Sequence, residues 1–92
     1  YAGSSSRVDF LLKKEKIVIE VKKTRKGLAD KEVGDQLILD SQHYKVHPDC
    51  KRLICFVYDP ENRIQNPPCL EIDFNTLTSE DLIVETYIRP FH

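Results

Sequence analysis

The chain lacks the features that mark membrane and secreted proteins. No apolar run approaches the roughly 20 residues that span a bilayer, and residues 1–4 carry no charged segment followed by an apolar one, as a secretory signal would. The three cysteines form an odd set without the spacing of a disulfide framework, and Cys55 lies inside an apolar run. These absences argue against a membrane span and a disulfide scaffold, and they predict a reducing, cytoplasmic setting.

The length limits the number of domains. A chain of 92 residues is enough for one small domain, since domains usually run from about 50 to 250 residues. The chain does not begin with methionine, and its first strand pattern starts abruptly. We therefore predict a single domain over residues 1–92, cut from a longer protein whose further domains lie outside this sequence.

Two short apolar runs near the start are separated only by a charged stretch. The runs cover residues 8–12 and 17–21, and the charged stretch covers residues 13–16. Both runs are rich in strand-forming side chains, so they predict an antiparallel hairpin. With the turn centred on the charged stretch, apolar side chains oppose each other on one face and Asp9 opposes Glu20 on the other. A slip of one residue would set Asp9 opposite an aliphatic side chain, so the hydrophobic pattern fixes the register.

Asp9 and Glu20 would be close neighbours in this hairpin. Directly opposed residues have Cβ atoms about 4.5–5.5 Å apart, and two carboxylates that close repel each other unless a cation lies between them. On the same face Arg7 opposes Lys22, which shares its side of the strand with Glu20. The pattern predicts a divalent metal site. The alternative is a solvated sheet surface neutralised by Arg7 and Lys22, but apolar neighbours disfavour it because a buried, unpaired carboxylate is costly.

Charge is distributed unevenly along the chain although its net value is −1. Lysine and arginine crowd the first third, and carboxylates dominate the last third. A basic segment beside a carboxylate pair is expected where a polyanion is bound and cleaved at a metal. A strand edge guarded by lysines explains the cations of residues 13–16 equally well. It explains Lys23, Arg25 and Lys26 less well, because they directly follow Lys22.

The rest of the chain predicts one helix and two or three further segments of a sheet. Gln36 falls on a polar stripe of the helix, beside its apolar stripe. A helix between the second and third strands requires a crossover connection, so the predicted fold class is α/β, with a mixed central β-sheet and a packed helix. The predicted segments are a helix from the N-cap Asp30 to about residue 46, a central strand buried on both faces over residues 53–58, a short strand or irregular segment over residues 70–77, and a last strand over residues 82–88.

Asp9, the triplet Glu20-Val21-Lys22 and the Gln36-bearing helix resemble the restriction-endonuclease-like PD-(D/E)xK nuclease superfamily, in particular small nuclease domains of prokaryotic restriction and defence proteins. The resemblance covers most of the chain and implies a core whose N-terminal helix is missing from this sequence. It implies that Asp9 and Glu20 bind a divalent cation, usually Mg²⁺ with Mn²⁺ able to substitute. It also implies the carbonyl oxygen of Val21 as a further ligand.

The same resemblance implies roles for other residues. Lys22 would orient or activate the attacking water, or stabilise charge on the phosphate, and Gln36 would lie near the site. Some branches carry a tyrosine four residues after this glutamine, where this chain has Asp40. The cations expected to contact nucleic-acid phosphates, which position the strand without reading its sequence, are Arg7, Lys23, Arg25 and Lys26.

The expected function is a Mg²⁺-dependent endonuclease acting on nucleic acid, DNA rather than RNA, in restriction or phage defence. The rival function is a non-catalytic module of the same fold that binds nucleic acid or protein, and a second rival is a nuclease fragment inactivated by loss of its opening helix. A zinc site at His43, His47 and Cys50 is a further alternative that lacks a nearby fourth ligand. A homodimer is one expected assembly, because restriction-type relatives are often dimers.

Overall fold

The computed structural model describes residues 7–90, and it describes side chains from Asp9 onwards. A four-stranded sheet has the order β1-β2-β3-β4, with β1 antiparallel to β2 and the other neighbouring strands parallel. The α/β fold with a mixed sheet is thus confirmed. The elements are β1 (Arg7–Leu12), β2 (Ile17–Lys23), α1 (Asp30–Lys45), β3 (Arg52–Tyr58), α2 (Pro67–Asn75) and β4 (Ile83–Arg89).

The β1–β2 hairpin has the predicted register. Asp9 is opposite Glu20, and Arg7 is opposite Lys22. The charged stretch forms the turn, in which the Lys16 N–H donates to the carbonyl oxygen of Lys13 at 3.3 Å. Side chains of β2 alternate between buried and half-buried positions, as expected for a strand whose two faces meet different surroundings.

One face of the sheet carries the hydrophobic core. Helix α1 contributes Val33 and Leu37, which lie one turn apart on the same stripe, and α2 contributes Phe74. Gly34 lies where α1 approaches α2, since a Cβ atom there would lie 3.3 Å from the Phe74 ring. The buried strand residues that these helices cover are Val18, Leu53, Cys55, Val57, Val84 and Ile88.

The second face of the sheet is only partly covered. Phe10 is 51% exposed, and Ile19, Ile54 and Phe56 are half-buried. The prediction that β3 is buried on both faces is therefore wrong. Strand β3 is central and has one fully buried face, but in residues 7–90 no helix packs against the other one.

Helix α2 was not predicted, and the expectation of a short strand or irregular segment over residues 70–77 is wrong. The Asn66 side chain caps this helix by accepting from the Cys69 N–H at 3.3 Å, and prolines fill its first two positions. Proline is favoured there because its fixed φ suits the first turn and no N–H is needed. The Asn66-Pro67-Pro68 segment thus starts a helix.

Smaller differences concern element boundaries. Helix α1 has Ala29 at its N-cap, one residue before the predicted Asp30, and the Glu32 carboxylate accepts from the Ala29 N–H at 3.3 Å. Strand β3 begins one residue earlier than predicted, and β4 is displaced by one residue. Helix ends commonly differ by one or two residues, because terminal turns lack a full set of backbone hydrogen bonds.

The edge strand β4 is shielded by side-chain acceptors. Exposed strand edges carry backbone groups that can pair with another chain. At the outer edge of β4 every second backbone N–H instead donates to a side chain of the same chain. These bonds run from Val84 N–H to Thr78 Oγ1 (2.8 Å), from Thr86 N–H to Asn75 Oδ1 (3.1 Å) and from Ile88 N–H to Glu71 Oε2 (2.6 Å).

No helix within residues 7–90 is long and apolar enough to span a membrane.

Candidate active site

Two charged side chains of β2 are buried in the centre of the molecule. Glu20 is 0% exposed and Lys22 is 1% exposed, and both point to the face that α1 covers. Glutamate and lysine are almost never fully buried unless they are paired. Side chains of a strand alternate between its two faces, so Glu20 and Lys22 lie on the same buried face as Val18. Their charges therefore need oppositely charged or polar partners inside the protein.

The compensation comes from one ammonium between two carboxylates. Lys22 Nζ lies 3.7 Å from Glu20 Oε1 and 2.9 Å from Asp40 Oδ2. Asp40 belongs to α1 and is itself 7% exposed. Helix α1 therefore brings a third charged group to the site, beside the two that β2 supplies.

Asp40 belongs to this charged cluster, although the resemblance assigns it no role beyond replacing a tyrosine. A signal for it is nevertheless present in the chain. Asp40 follows Leu37 by three residues and Val33 by seven, so it lies on the buried stripe of α1. A carboxylate on an apolar stripe needs a cation, and Lys22 is the residue that provides it.

The other predicted site residues surround this cluster. Asp9 is half-buried opposite Glu20. Val21 directs its side chain to the other face of the sheet, and its carbonyl belongs to the backbone between Glu20 and Lys22. Gln36 is half-buried one turn before Asp40, and in residues 7–90 no hydrogen bond joins it to Glu20 or Lys22.

Carboxylates outnumber ammonium groups among the residues of this cluster. Asp9, Glu20 and Asp40 each bring one carboxylate, and Lys22 brings one ammonium. Among the described residues, no three His, Cys, Asp or Glu side chains converge as a metal-binding group. Mg²⁺ sites commonly use only one or two carboxylates of the protein, with water molecules and substrate oxygens completing the shell.

The alternative zinc site finds no support in the described part of the chain. His47 Nδ1 accepts from the Asp49 N–H at 3.1 Å, and Cys50 Sγ donates to the Arg52 carbonyl at 3.4 Å. Burial raises the pKa of the Cys50 thiol, which disfavours the thiolate that zinc requires. His43 contacts the rings of Tyr44 and His47 edge-on or near edge-on.

Residues 23–28, which we call the basic turn, begin at the last residue of β2. Arg25 and Leu28 exchange two backbone hydrogen bonds, at 3.2 and 2.8 Å, and Gly27 supplies the positive φ of 84° that closes the turn. Leu28 is buried, whereas Arg25 and Lys26 are exposed, as is Lys23. The buried leucine thus fixes the turn while the cations face solvent. Arg7 lies outside the residues whose side chains are described.

Asp59 ties this turn to the loop after β3. Its Oδ1 accepts from Thr24 Oγ1 at 2.6 Å and from the Arg63 N–H at 2.8 Å, and its Oδ2 accepts from the Ile64 N–H at 3.0 Å. Asp59 is 1% exposed. Because β2 and β3 are parallel, their carboxyl ends lie at one edge of the sheet, and Asp59 fixes both connections at that edge.

Comparison with known families decides the kind of protein. A family model described as DpnII-MboI (REase_DpnII-MboI) matches residues 1–91. The chain belongs to the DpnII-MboI restriction endonuclease family. This confirms the resemblance to restriction-endonuclease-like nuclease domains. No curated protein and no solved structure matches the chain.

The buried charge cluster is the candidate active site of this DpnII-MboI family domain. The fold brings Glu20, Lys22 and Asp40 into contact and sets Asp9 beside Glu20 across the hairpin. Buried ionisable groups that lie close together are found preferentially at functional sites. The exposed cations of the basic turn lie one to four residues further along the chain from Lys22.

Proposed function

We propose that residues 1–92 form one nuclease domain that hydrolyses phosphodiester bonds of DNA with the help of a divalent metal, in restriction or phage defence. The family supports a nuclease of restriction type. The observation that carries the proposal is the pair Glu20 and Lys22, both fully buried, on one face of β2. A carboxylate and an ammonium held together in a low-dielectric environment suit phosphoryl chemistry, in which charge on the phosphate oxygens must be offset.

Asp9 and Glu20 are the proposed metal ligands, with the Val21 carbonyl oxygen as a third. All of these donors are oxygen atoms, which Mg²⁺ prefers, and Mn²⁺ can replace it at such sites. When bound, the metal supplies polarisation of a phosphate oxygen and a more acidic water molecule.

Lys22 is the proposed catalytic cation. Its ammonium shares the strand face of Glu20, so a phosphate held near that carboxylate by a metal ion would meet the ammonium as well. There it stabilises negative charge on the non-bridging oxygens or orients the attacking water. Gln36, one turn along α1 from Asp40, is the proposed polar residue at the margin of the site.

Substrate positioning is assigned to the exposed cations. Lys23, Arg25 and Lys26, with Arg7, are proposed to contact phosphates along the backbone of the nucleic acid. Such contacts fix the register of the bound strand and carry no base preference. The buried Leu28 fixes the backbone of the basic turn, so less of the backbone has to be ordered on binding.

The direct test is cleavage by the purified chain. Supercoiled plasmid, single-stranded DNA and RNA are incubated separately with Mg²⁺, Mn²⁺ or EDTA. We expect plasmid cleavage with either metal and none with EDTA, because the proposed site depends on a divalent ion. Metal-independent binding without cleavage of any substrate would instead support a non-catalytic binding module, and cleavage that persists in EDTA would contradict the metal requirement.

A second prediction concerns the basic turn. Replacing Lys23, Arg25 and Lys26 together by glutamine should weaken DNA binding and lower the slope of log K against log salt by about 0.9 for each lost phosphate contact, or about 2.7 in all. Binding is measured with EDTA present, by fluorescence anisotropy over a salt series.

The matched control changes the same number of charges elsewhere. Lys13, Lys14 and Lys16 are exposed in the turn at the opposite end of the β1–β2 hairpin, and replacing them by glutamine should leave the slope nearly unchanged. Equal losses in the two triple variants would mean that binding follows overall charge, not the basic turn.

A further inference from the structure

The Lys22 ammonium lies nearer to a carboxylate of helix α1 than to the carboxylate of its own strand. Lys22 Nζ is 2.9 Å from Asp40 Oδ2 but 3.7 Å from Glu20 Oε1. We propose that Asp40 is a positioning residue that holds the Lys22 ammonium in its reactive place, an inference that rests on the proposed nuclease function. Asp40 acts through Lys22 and does not itself contact the substrate.

Lys22 needs a partner other than Glu20. A lysine side chain has a flexible four-carbon stem and a compact charge, so burial alone does not fix where its ammonium lies. A divalent cation held by Glu20 would repel the nearby ammonium. Asp40 offers a negative charge on a separate element, so Lys22 would keep an ion-pair partner with such a cation bound.

Asp40 is well placed to act as a fixed point. Its side chain has only two rotatable bonds, and its backbone lies within a 16-residue helix. Leu37 and Ser41, its neighbours on the buried stripe, are 2% and 7% exposed. The Ser41 hydroxyl donates to the Ile38 carbonyl at 2.8 Å. The packing of α1 on the sheet therefore determines where the Asp40 carboxylate meets Lys22.

A purely structural role would also explain a carboxylate at this position, since a buried ammonium requires compensation. The two roles predict different results in the folded protein. Removal of a positioning residue lowers kcat and disorders the Lys22 ammonium. Removal of a residue that only compensates the buried charge lowers stability, and it leaves kcat unchanged at a temperature where the protein is folded.

The first experiment compares variants of α1. Asp40→Asn keeps the shape but removes the charge, and we expect kcat to fall on the order of 10²-fold, the loss typical of a misplaced catalytic group, with KM little changed. Asp40→Glu retains the charge and should recover part of the lost rate. Asp35→Asn is the matched control, because Asp35 lies on the same helix, is exposed and pairs only with exposed Lys31 among the described residues.

The second experiment is a double-variant cycle. In a Lys22→Met background, Asp40→Asn should cause no further loss of rate, because the positioned group is gone. In parallel, the ¹⁵Nζ signal of Lys22 in NMR spectra reports an ordered, protected ammonium. We expect that signal in the wild-type chain and in Asp35→Asn, and we expect its loss in Asp40→Asn.

The outcomes separate this inference from the proposed function. If the wild-type chain cleaves no nucleic acid, the proposed function fails, and the Lys22 signal still shows whether Asp40 holds the ammonium. If the chain cleaves DNA, an unchanged kcat in Asp40→Asn, or an equal loss with and without Lys22, overturns the positioning role. Should Asp40→Asn not fold, Asp40→Glu provides the same comparison, with a lower kcat at unchanged KM expected and an unchanged kcat overturning the inference.

Discussion

Lys22→Met is expected to lower the free energy of unfolding by about 3–5 kcal/mol, the usual cost of removing one partner from a buried ion pair. It should also lower the cleavage rate on the order of 10²–10³-fold, as removal of a preorganised charge-stabilising group does. Both effects have one cause. Glu20 and Asp40 lose the cation that lies 3.7 Å from one carboxylate and 2.9 Å from the other, and the phosphate loses its charge partner.

The measurements are urea unfolding followed by circular dichroism, and plasmid cleavage at a temperature where the variant is folded. Lys31→Met is a matched control, because Lys31 forms the ion pair with Asp35 on the exposed side of α1 at 3.7 Å. Surface pairs of this kind contribute at most about 1 kcal/mol. Added Mg²⁺ should stabilise Lys22→Met more than the wild-type chain, since the variant site carries one more negative charge. Equal free energies of unfolding for Lys22→Met and Lys31→Met would contradict the prediction that the buried ion pairs of Lys22 stabilise the protein.

Asp59→Ala should lower the free energy of unfolding by about 2–5 kcal/mol, because two or more buried donors lose their acceptor and each such loss costs about 1–3 kcal/mol. The donors are Thr24 Oγ1 and the backbone N–H groups of Arg63 and Ile64. The variant should also bind DNA more weakly, since Thr24 begins the connection that contains the basic turn.

Urea unfolding and the anisotropy assay check both parts of this prediction. Glu61→Ala is the control, because Glu61 is exposed in the loop after β3, two residues from Asp59. Its removal should change stability by no more than about 0.5 kcal/mol. Asp59→Asn keeps one oxygen acceptor, so its free energy of unfolding should lie between those of Asp59→Ala and Glu61→Ala. A loss of stability with unchanged DNA binding would show that the basic turn is held in place without Asp59.

The hairpin could be predicted residue by residue because its information is local. Strand residues alternate between faces, and a break of four charged residues leaves one register that buries apolar side chains against each other. The opposition of Asp9 and Glu20 follows from that register. The crossover helix and the parallel pairing of β2 with β3 also follow from element order.

Helix α2 shows where local reasoning gave the wrong result. The Asn-Pro-Pro segment favours a turn and a helix start equally well, and the nine residues of α2 give little apolar periodicity. What stabilises the helix is tertiary: Phe74 enters the core, and Glu71 and Asn75 accept N–H groups of β4. The burial of β3 on both faces was wrongly predicted for a similar reason. An apolar run shows that a strand is buried, but it does not show whether helices pack on one face of the sheet or on both.

The sequence by itself determined the sheet register, the α/β class and the placement of Asp9, Glu20 and Lys22 on one face, because strand alternation and hydrophobic pattern act over a few residues. Only the tertiary structure decided that Lys22 pairs with Asp40 on α1. That contact depends on the rotation of the helix about its axis and on its packing against β2 and β3, which are set by the whole core and not by the spacing of residues along the chain.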